Sequence, residues 1–428
     1  MSFVSTRGAS PPASLGDAVA AGLAPDGGLY VPASLAPLGA DACVALRGAD
    51  FHAVAAACAP ALFGPDIPPS SLAALLADAL DFPMPLVEVE PGVWALELFH
   101  GPTHAFKDVG ARTMARLLAR FHAGGTPFTV LVATSGDTGG AVAQAFHGLP
   151  GTRVVVLYPD GQVTPVQEAQ FTTLGGNVTA VAVAGTFDDC QRLVKEAFGD
   201  PALAARARLT SANSINIGRL LPQALYYAWA ALQFDEPPVV SVPSGNFGNL
   251  TAGLLAHRLG VPIAGFVAAT GANDVVPKYL ATGRFEAQPS RRTVANAMDV
   301  GNPSNLERMR WLVNEDVGRL RALVAGSVHA DAEVVATIRD LLERRGYLCD
   351  PHSAIGYLGA TRAPVHPGTR APRVFLATAH PAKFRDVVEP AIGRAVPLPP
   401  ALADALARDR SIVRMPPDLA ALAAVITA

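Results

Sequence analysis

Short apolar segments alternate with helical segments along this chain, and this alternation constrains its fold more than any other feature. Residues 128–133, 154–158 and 178–183 are rich in β-branched side chains, and each run is followed by a segment with helical periodicity. Further strands are predicted at 93–98, 239–242, 263–269 and 374–377. Such alternation is typical of parallel sheets flanked by helices, so we expect an α/β fold.

The length of 428 residues predicts more than one domain, because a single core stops growing near ~250–300 residues. Residues 1–85 are rich in Ala and Leu, with helices predicted at 14–21 and 71–80. The prolines of 81–85 predict a break after that N-terminal helical region.

Composition excludes several functional classes. The net charge is −3 and no basic run is evident, so nucleic acid is not an expected partner. No apolar run approaches ~18 residues, and residues 1–7 do not resemble a secretory signal, so no membrane partner is expected. The four cysteines are widely spaced, which argues against a metal site or a disulfide framework and fits a reducing cytoplasm.

Lysine is scarce in this chain. The lysines are Lys107, Lys195, Lys278 and Lys383. Unlike an arginine guanidinium, a lysine ammonium can lose its proton and act as a nucleophile. Lys107 lies between a predicted strand and a helix expected at 109–122 with Asp108 as its N-cap. The positive end of that helix would lower the pKa of Lys107, as a Schiff-base lysine requires. A solvated loop lysine is the alternative.

Two glycine-rich segments, 133–140 and 244–249, follow predicted strands and open predicted helices. Small residues let a ligand approach the backbone, and the free N–H groups of a helix start attract anions. The hydroxyls of Ser135 and Thr138 can add donors. Segment 244–249 is neither a Walker loop nor a GxGxxG pattern. No acidic ribose-binding residue is evident at the expected offset after it, so a dinucleotide is disfavoured. An ordinary capped strand–helix turn remains the alternative for 133–140.

Two further segments carry polar side chains. Residues 213–219 form a polar cluster that ends in Arg219, which suits a small anion held by a guanidinium; a capped helix start is the alternative. Thr378 follows a predicted strand, at the end of a sheet where α/β proteins place ligands, although such a threonine is often structural.

Together these segments resemble the threonine synthase family, pyridoxal-phosphate enzymes of the tryptophan-synthase-β-like fold (fold type II). The resemblance spans nearly the whole chain. It rests on His100-Gly-Pro-Thr-His-Ala-Phe-Lys-Asp108 and Ser135-Gly-Asp-Thr-Gly139, with further matches at 5–8, 22–32, 296–305 and 350–352.

The resemblance implies pyridoxal 5′-phosphate as cofactor and assigns roles to individual residues. Lys107 is expected to be catalytic and to hold the cofactor covalently. The other expected cofactor-binding residues are Gly245, Asn246, Phe247, Gly248, Asn249, Thr378 and Asp137. The expected substrate-binding residues are Ser135, Thr138, Asn213, Ser214 and Arg219. Many relatives in the wider fold family carry Asn where this chain has Asp137, so the role of Asp137 is left open. Lys383 is expected to belong to a structural turn.

The implied reaction is conversion of O-phospho-L-homoserine and water to L-threonine and phosphate by elimination and hydration. The implied architecture is an N-terminal region (1–85), a large cofactor-binding domain (86–125 and 213–428) and a small α/β domain (126–212). We expect a cytoplasmic monomer or weak homodimer. One alternative is a threonine or serine dehydratase-type lyase, which would not need a second phosphate pocket. Another is a non-catalytic anion-binding relative.

Overall fold

A computed structural model describes residues 2–122, 127–363 and 371–428. The strands are β1 (Phe3–Ser5), β2 (Tyr30–Pro32), β3 (Leu86–Glu90), β4 (Val93–Glu97), β5 (Phe128–Ala133), β6 (Thr152–Pro159), β7 (Val178–Val183), β8 (Leu209–Ser211), β9 (Val239–Pro243), β10 (Gly265–Thr270), β11 (Val324–Val328), β12 (Arg373–Ala377) and β13 (Ile412–Met415).

The helices include two short 3₁₀ turns, at Asn296–Met298 and Pro381–Phe384. The α-helices are α1 (Leu15–Ala21), α2 (Ala40–Ala45), α3 (Phe51–Phe63), α4 (Pro69–Ala79), α5 (Lys107–Phe121), α6 (Asp137–Phe146), α7 (Pro165–Thr172), α8 (Phe187–Gly199), α9 (Pro201–Ala207), α10 (Ile217–Leu220), α11 (Gln223–Ala231), α12 (Gly248–Arg258), α13 (Val275–Thr282), α14 (Leu306–Leu312), α15 (Val317–Leu323), α16 (Asp331–Arg345), α17 (Pro351–Arg362), α18 (Arg385–Ile392), α19 (Pro400–Ala407) and α20 (Leu419–Thr427).

The larger sheet has the strand order β11-β10-β9-β12-β4-β3. Its pairs are parallel, except that β3 runs antiparallel to β4 at one edge. Every residue of β9 and β10 is buried, as expected for strands covered on both faces by helices. The expected α/β fold is confirmed, with one antiparallel edge pair.

The smaller sheet is entirely parallel, with the order β13-β7-β6-β5-β8. Side chains alternate between its faces, as the pleat requires. Val130 and Val132 face the core shared with the larger sheet, whereas Leu131 and Ala133 face α8 and α20. The expected strands at 128–133 and 178–183 coincide with β5 and β7.

The C-terminal segment corrects one expectation. The domain bounds expected from the sequence place all of residues 213–428 in the large domain. Instead, β13 pairs with β7 through contacts such as Met415 with Val183. Leu422 and Ile426 of α20 are buried in the same apolar cluster as Leu193 of α8. The small α/β unit is therefore completed by residues that come long after 212 in the sequence.

The N-terminal region pairs β1 with β2 and continues through α1 to α4. The helices predicted at 14–21 and 71–80 are confirmed as α1 and α4. Ser14 caps α1 by accepting a hydrogen bond from the Asp17 N–H. Helix α4 starts two residues before the prediction, at Pro69, because proline is tolerated in the first turn of a helix.

The six-stranded sheet and the five-stranded sheet both direct the carboxyl ends of their parallel strands toward one region of the molecule. The loops after β4, β9 and β12 come from the larger sheet, and the loop after β5 comes from the smaller one. In open α/β sheets ligands bind at such ends. Within the described residues, no helix combines the length and apolar character needed to cross a membrane.

The buried position of Leu422 generates a stability prediction. Leu422 is 0% exposed, so Leu422→Ala should lower the free energy of unfolding by about 2–5 kcal/mol through lost burial and a residual cavity. Urea unfolding followed by circular dichroism measures this change. Val413→Ala is the matched control, since Val413 is 40% exposed on the same C-terminal segment. Equal effects of the two substitutions would contradict the burial of α20 in the core of the small unit.

Candidate active site

Lys107 is the first residue of α5, and the loop before it is bonded to the strand that precedes Thr378. The Leu98 N–H donates to the Ala377 carbonyl (2.9 Å), and the Phe106 N–H donates to the Thr378 carbonyl (2.9 Å). These backbone bonds place Lys107 and Thr378 at the same edge of the larger sheet. Both side chains line one cleft.

Asp108 is not the N-cap predicted from the sequence. Helix α5 begins at Lys107, two residues before the predicted start, so Asp108 lies in its first turn and its buried carboxylate points back at the loop. It accepts hydrogen bonds from the Thr103 N–H (2.8 Å) and hydroxyl (2.6 Å). Burial raises the pKa of Asp108 to about 6. The carboxylate thus holds the turn that presents Lys107.

The Lys107 amine is largely buried in the cleft. Its side chain is 16% exposed, and Nζ is 5.3 Å from the centre of the Phe106 ring. Burial lowers the pKa of Lys107, and the Asp137 carboxylate at 3.6 Å opposes part of that shift. The pKa of Lys107 is lowered, as the sequence predicts, but the largest cause is burial and not the positive end of the helix. A lowered pKa favours the unprotonated, nucleophilic form of the amine.

Asp137 is the first residue of α6, at the end of the small-sheet strand β5. Its Oδ1 accepts hydrogen bonds from Gln167 Nε2 and pairs with Lys383 Nζ, each at 2.8 Å. Burial by itself would raise the pKa of Asp137, but the Lys383 and Lys107 ammonium groups outweigh it and hold this pKa well below its usual range. The carboxylate is therefore ionised and shared between two lysines.

Gly136 makes the turn before α6 possible. Its φ of 141° is open to glycine, and a Cβ there would lie 2.5 Å from the Gln167 side chain. The Thr134 hydroxyl accepts the Gly136 N–H (2.9 Å) and the Gly139 N–H (2.8 Å), a helix-start role that the sequence reasoning did not assign. The Ser135 and Thr138 side chains are left to line the cleft.

The loop 244–249 joins β9 to α12 and forms another wall of the cleft. A Cβ on Gly245 would lie 2.6 Å from the Met298 Cα, so only glycine fits there. Phe247 adopts a left-handed φ of 59°, a strained conformation for a bulky side chain that is found mainly at functional sites. Gly248 then starts α12, whose first N–H groups have no partner within the helix.

The side-chain oxygen of Asn249 is hydrogen-bonded, whereas its side-chain nitrogen has no partner among the described residues. Its Oδ1 accepts the hydroxyls of Tyr226 (2.5 Å) and Tyr227 (2.7 Å). Its buried Nδ2 has no hydrogen-bond partner among the described residues. A buried donor without a partner is costly, so this amide is suited to an acceptor supplied by a ligand.

Two predicted ligand-binding amides already bond to the protein. Asn213 pairs with the Ala133 backbone, donating from Nδ2 to its carbonyl (2.8 Å) and accepting its N–H at Oδ1 (3.3 Å). Asn246 Nδ2 donates to the Ser214 hydroxyl (2.7 Å), and its Oδ1 accepts the Ser304 N–H (2.6 Å). These contacts join the loops around the cleft. The Ser214 hydroxyl keeps its own proton to donate.

Arg219 is a buried cation that faces the cleft. One guanidinium N–H donates to the Ala212 carbonyl, while the buried Nε has no partner among the described residues. Burial lowers the pKa of Arg219 to about 10, which still leaves it charged at neutral pH. No carboxylate in the described part of the chain forms an ion pair with it. Such a group favours binding of an anion.

All of the residues predicted for the site line one cleft of about 970 Å³, a volume that includes its solvent-open part. They are Lys107, Ser135, Asp137, Thr138, Asn213, Ser214, Arg219, Gly245, Asn246, Phe247, Gly248, Asn249 and Thr378. The sequence reasoning missed Phe187 and Gln191 of α8, and also His352. His352 Nε2 accepts the Ala297 N–H (3.2 Å), so its Nδ1 carries the proton shared with Asp350 (2.5 Å).

Comparison with known families covers nearly the whole chain. Residues 80–378 match the family described as pyridoxal-phosphate dependent enzyme. Residues 2–80 match the threonine synthase N terminus, and residues 353–426 match the threonine synthase C-terminal family. Threonine synthase of Escherichia coli (strain K12) is 45% identical over 413 residues, covering 96% of this chain and 95% of that protein. The Serratia marcescens enzyme is 46% identical over 394 residues, with 91% and 90% covered.

Solved structures agree with the sequence comparison. The crystal structure of threonine synthase from Escherichia coli has a TM-score of 0.94 at 42% identity, covering 100% of this chain and 99% of that one. The pyridoxal-phosphate-bound threonine synthase from Brucella melitensis has a TM-score of 0.92 at 37% identity, with the same coverage.

A threonine deaminase from Solanum lycopersicum has a TM-score of 0.56 at 17% identity, covering 76% of this chain and 94% of that one, and so shares the fold alone. The expected fold type II architecture is confirmed. The chain belongs to the threonine synthase family of pyridoxal-phosphate-dependent enzymes.

Proposed function

We propose that the cleft binds pyridoxal phosphate at Lys107 and converts O-phospho-L-homoserine and water to L-threonine and phosphate. One observation carries this proposal: a deprotonatable lysine lies in the same cleft as two separate groups of anion-binding residues. One group is the loop 244–249. The other contains Arg219 with the hydroxyls of Ser135, Thr138 and Ser214.

The residues of the loop 244–249 fit the phosphate of the cofactor. Gly245 has no space for a side chain, α12 begins at Gly248, and Asn249 Nδ2 lacks a partner within the described chain. Together they offer backbone N–H groups, a helix N-terminus and one amide donor to an anion. Thr378 would face the pyridine nitrogen with a neutral hydroxyl, which does not enforce protonation of the ring.

Lys107 is the group we assign to proton transfer. When bound, pyridoxal phosphate supplies an electron sink for charge that develops on the substrate carbons. The Lys107 amine would take and return protons at Cα, Cβ and Cγ of the substrate. General acid–base work of this kind requires a pKa near the working pH, and burial of Lys107 moves its pKa in that direction.

Arg219 is the principal residue we assign to the phosphate of the substrate. Its buried guanidinium has an unpaired Nε, and the hydroxyls of Ser135, Thr138 and Ser214 line the same cleft. Asn213 contributes mainly by holding the loop against Ala133. A dehydratase-type lyase would have no use for this second cationic site, so its presence favours the synthase over that alternative.

The two sheets suggest how the site opens and closes. We propose that the small α/β unit, residues 126–212 together with β13 and α20, moves over a large cofactor-binding unit. Phe187 and Gln191 of α8 line the cleft from the small unit. Movement of this helix would change how much of the substrate is exposed to water.

We also propose that the enzyme works in the cytoplasm as a monomer or weak homodimer. Cys43, Cys58, Cys190 and Cys349 are buried and unpaired, which fits a reducing compartment. The strongly exposed large apolar side chains of the described residues, Val44, Val328 and Val413, are far apart in the sequence and on different elements. Sedimentation at micromolar concentration should give mainly the mass of one chain; a stable larger assembly would contradict this.

Product analysis tests the reaction. The purified enzyme should gain visible absorbance with pyridoxal phosphate and release phosphate from O-phosphohomoserine. Lys107→Ala should lose that absorbance and about 10²–10⁴-fold or more of the rate, because the amine that binds and moves protons is gone. Lys195→Ala, at an exposed lysine on α8, is the control and should keep both. Oxo-acid formation from threonine or serine without phosphate release would sink the synthase assignment.

Arg219→Gln tests the second anion site. Losing a charge-assisted hydrogen bond to phosphate costs about 1.5–3 kcal/mol, so KM for O-phosphohomoserine should rise about 10- to 150-fold. The inhibition constant of inorganic phosphate should rise in parallel. Arg206→Gln, an exposed arginine on α9, should change neither value. An unchanged inhibition constant for phosphate in Arg219→Gln would remove Arg219 from the site.

A further inference from the structure

Three charged groups from three different elements meet beside the cleft. Lys107 begins α5, Asp137 begins α6, and Lys383 lies in the 3₁₀ turn Pro381–Phe384 that follows β12. Asp137 Oδ1 is 2.8 Å from Lys383 Nζ, and Asp137 Oδ2 is 3.6 Å from Lys107 Nζ. Two ammonium groups therefore compete for one carboxylate.

Lys383 is held in this position from two sides. It is 0% exposed, and its ammonium also donates to the Thr103 carbonyl at 2.8 Å. Thr103 belongs to the loop that presents Lys107. Lys383 thus has two close oxygen acceptors, whereas the Asp137 oxygen nearest to Lys107 is 3.6 Å away.

The charge balance decides which amine gives up a proton. With all three groups ionised, the cluster carries a surplus positive charge in a buried site, which is unfavourable. Release of one proton removes that surplus. Lys107 has the weaker contact with the carboxylate, so its proton is the one lost more readily.

We propose that Lys383 is a positioning residue for Lys107: by occupying the Asp137 carboxylate, it prevents that carboxylate from retaining the proton on the Lys107 amine. The consequence for catalysis rests on the proposed function of Lys107, but the effect on its amine does not. Lys383 itself need not touch substrate or cofactor.

The other charged groups nearby act in a consistent direction. Lys383 and Arg219 both lower the pKa of Lys107 after the larger effect of burial. The buried Asp108 carboxylate is bonded to Thr103 and forms no ion pair with either lysine among the described contacts. Burial lowers the pKa of His104 to about 4 and also lowers that of His380, so both are neutral at pH 7.

Competitive acetylation of the cofactor-free enzyme measures the amine directly. Acetic anhydride is applied across a pH series, and mass spectrometry follows the Lys107 peptide, with exposed Lys195 as internal reference. In Lys383→Met the Asp137 carboxylate is left to Lys107 alone, so the midpoint of Lys107 labelling should rise by about one pH unit or more. In Asp137→Asn it should fall, because both ammonium groups lose their counterion.

Lys383→Met leaves the buried Asp137 carboxylate with only the more distant ammonium of Lys107, which can impair folding. A second comparison is therefore included. Asp137→Asn/Lys383→Met carries neither charge, and its Lys107 midpoint should lie above that of Asp137→Asn because one ammonium has been removed. Lys278→Met, at another exposed lysine, should leave the Lys107 midpoint unchanged while Lys195 remains as the reference. The rise from Asp137→Asn to the double variant should be smaller than the rise from wild type to Lys383→Met, because only Lys383→Met leaves a carboxylate free to retain the Lys107 proton. The proposal is overturned if the midpoint does not rise from wild type to Lys383→Met, or if it rises as much where the carboxylate is absent. Where Lys383→Met does not fold, a double variant with a midpoint no higher than that of Asp137→Asn overturns it.

The rate of cofactor binding provides a second measurement that is independent of acetylation. In Lys383→Met the rate at which the cofactor-free enzyme gains visible absorbance with pyridoxal phosphate should fall about tenfold or more at neutral pH and recover at higher pH. A wild-type enzyme that never gains this absorbance would defeat the proposed function while leaving the acetylation result intact. Recovery at high pH distinguishes an effect on the Lys107 proton from a purely structural defect, which alkaline pH would not repair.

Discussion

The buried Asp137 carboxylate is the contact on which the geometry of the cleft depends. It starts a helix of the small unit and bonds to Lys383, which follows a strand of the larger sheet. Removing one partner of a buried ion pair leaves an uncompensated charge, at a cost of about 3–5 kcal/mol. Gln167 adds a hydrogen bond to the same carboxylate. The same carboxylate therefore links the two sheets through Lys383 and lies beside the Lys107 amine.

Two buried arginines form no ion pair with a carboxylate among the residues that the structure describes. Like Arg219, Arg308 is buried, and it bonds to backbone and amide oxygens: the carbonyls of Tyr30 (3.0 Å) and Ser214 (3.0 Å) and Asn305 Oδ1 (2.7 Å). Burial lowers its pKa to about 9, so it remains charged at neutral pH. It connects the N-terminal region to the Ser214 turn. Two buried guanidinium groups thus raise the positive potential on the side of the cleft assigned to phosphate.

Local sequence patterns predict many of the strands and helices of this structure. The features that they do not predict depend on contacts between residues far apart in the sequence. Strands such as β5 and β7 follow from continuous β-branched runs. Strand β13 is short, partly exposed and contains Arg414, so its pairing with β7 depends on a contact that no local pattern reveals. Asp108 was misassigned as an N-cap because its carboxylate bonds back to Thr103. The ion pair of Lys383 could not be inferred from the sequence, since its partner follows a strand of the other sheet.

The late entry of β13 into the small sheet has a consequence for biosynthesis. Strands β5 to β8 emerge from the ribosome well before β9 to β12, yet the edge of their sheet at β7 is covered only when β13 has been made. Until then that edge offers unpaired backbone groups to any neighbouring chain. In a nascent chain this edge stays uncovered through the synthesis of β9 to β12, and the small sheet is complete only after translation has passed Met415.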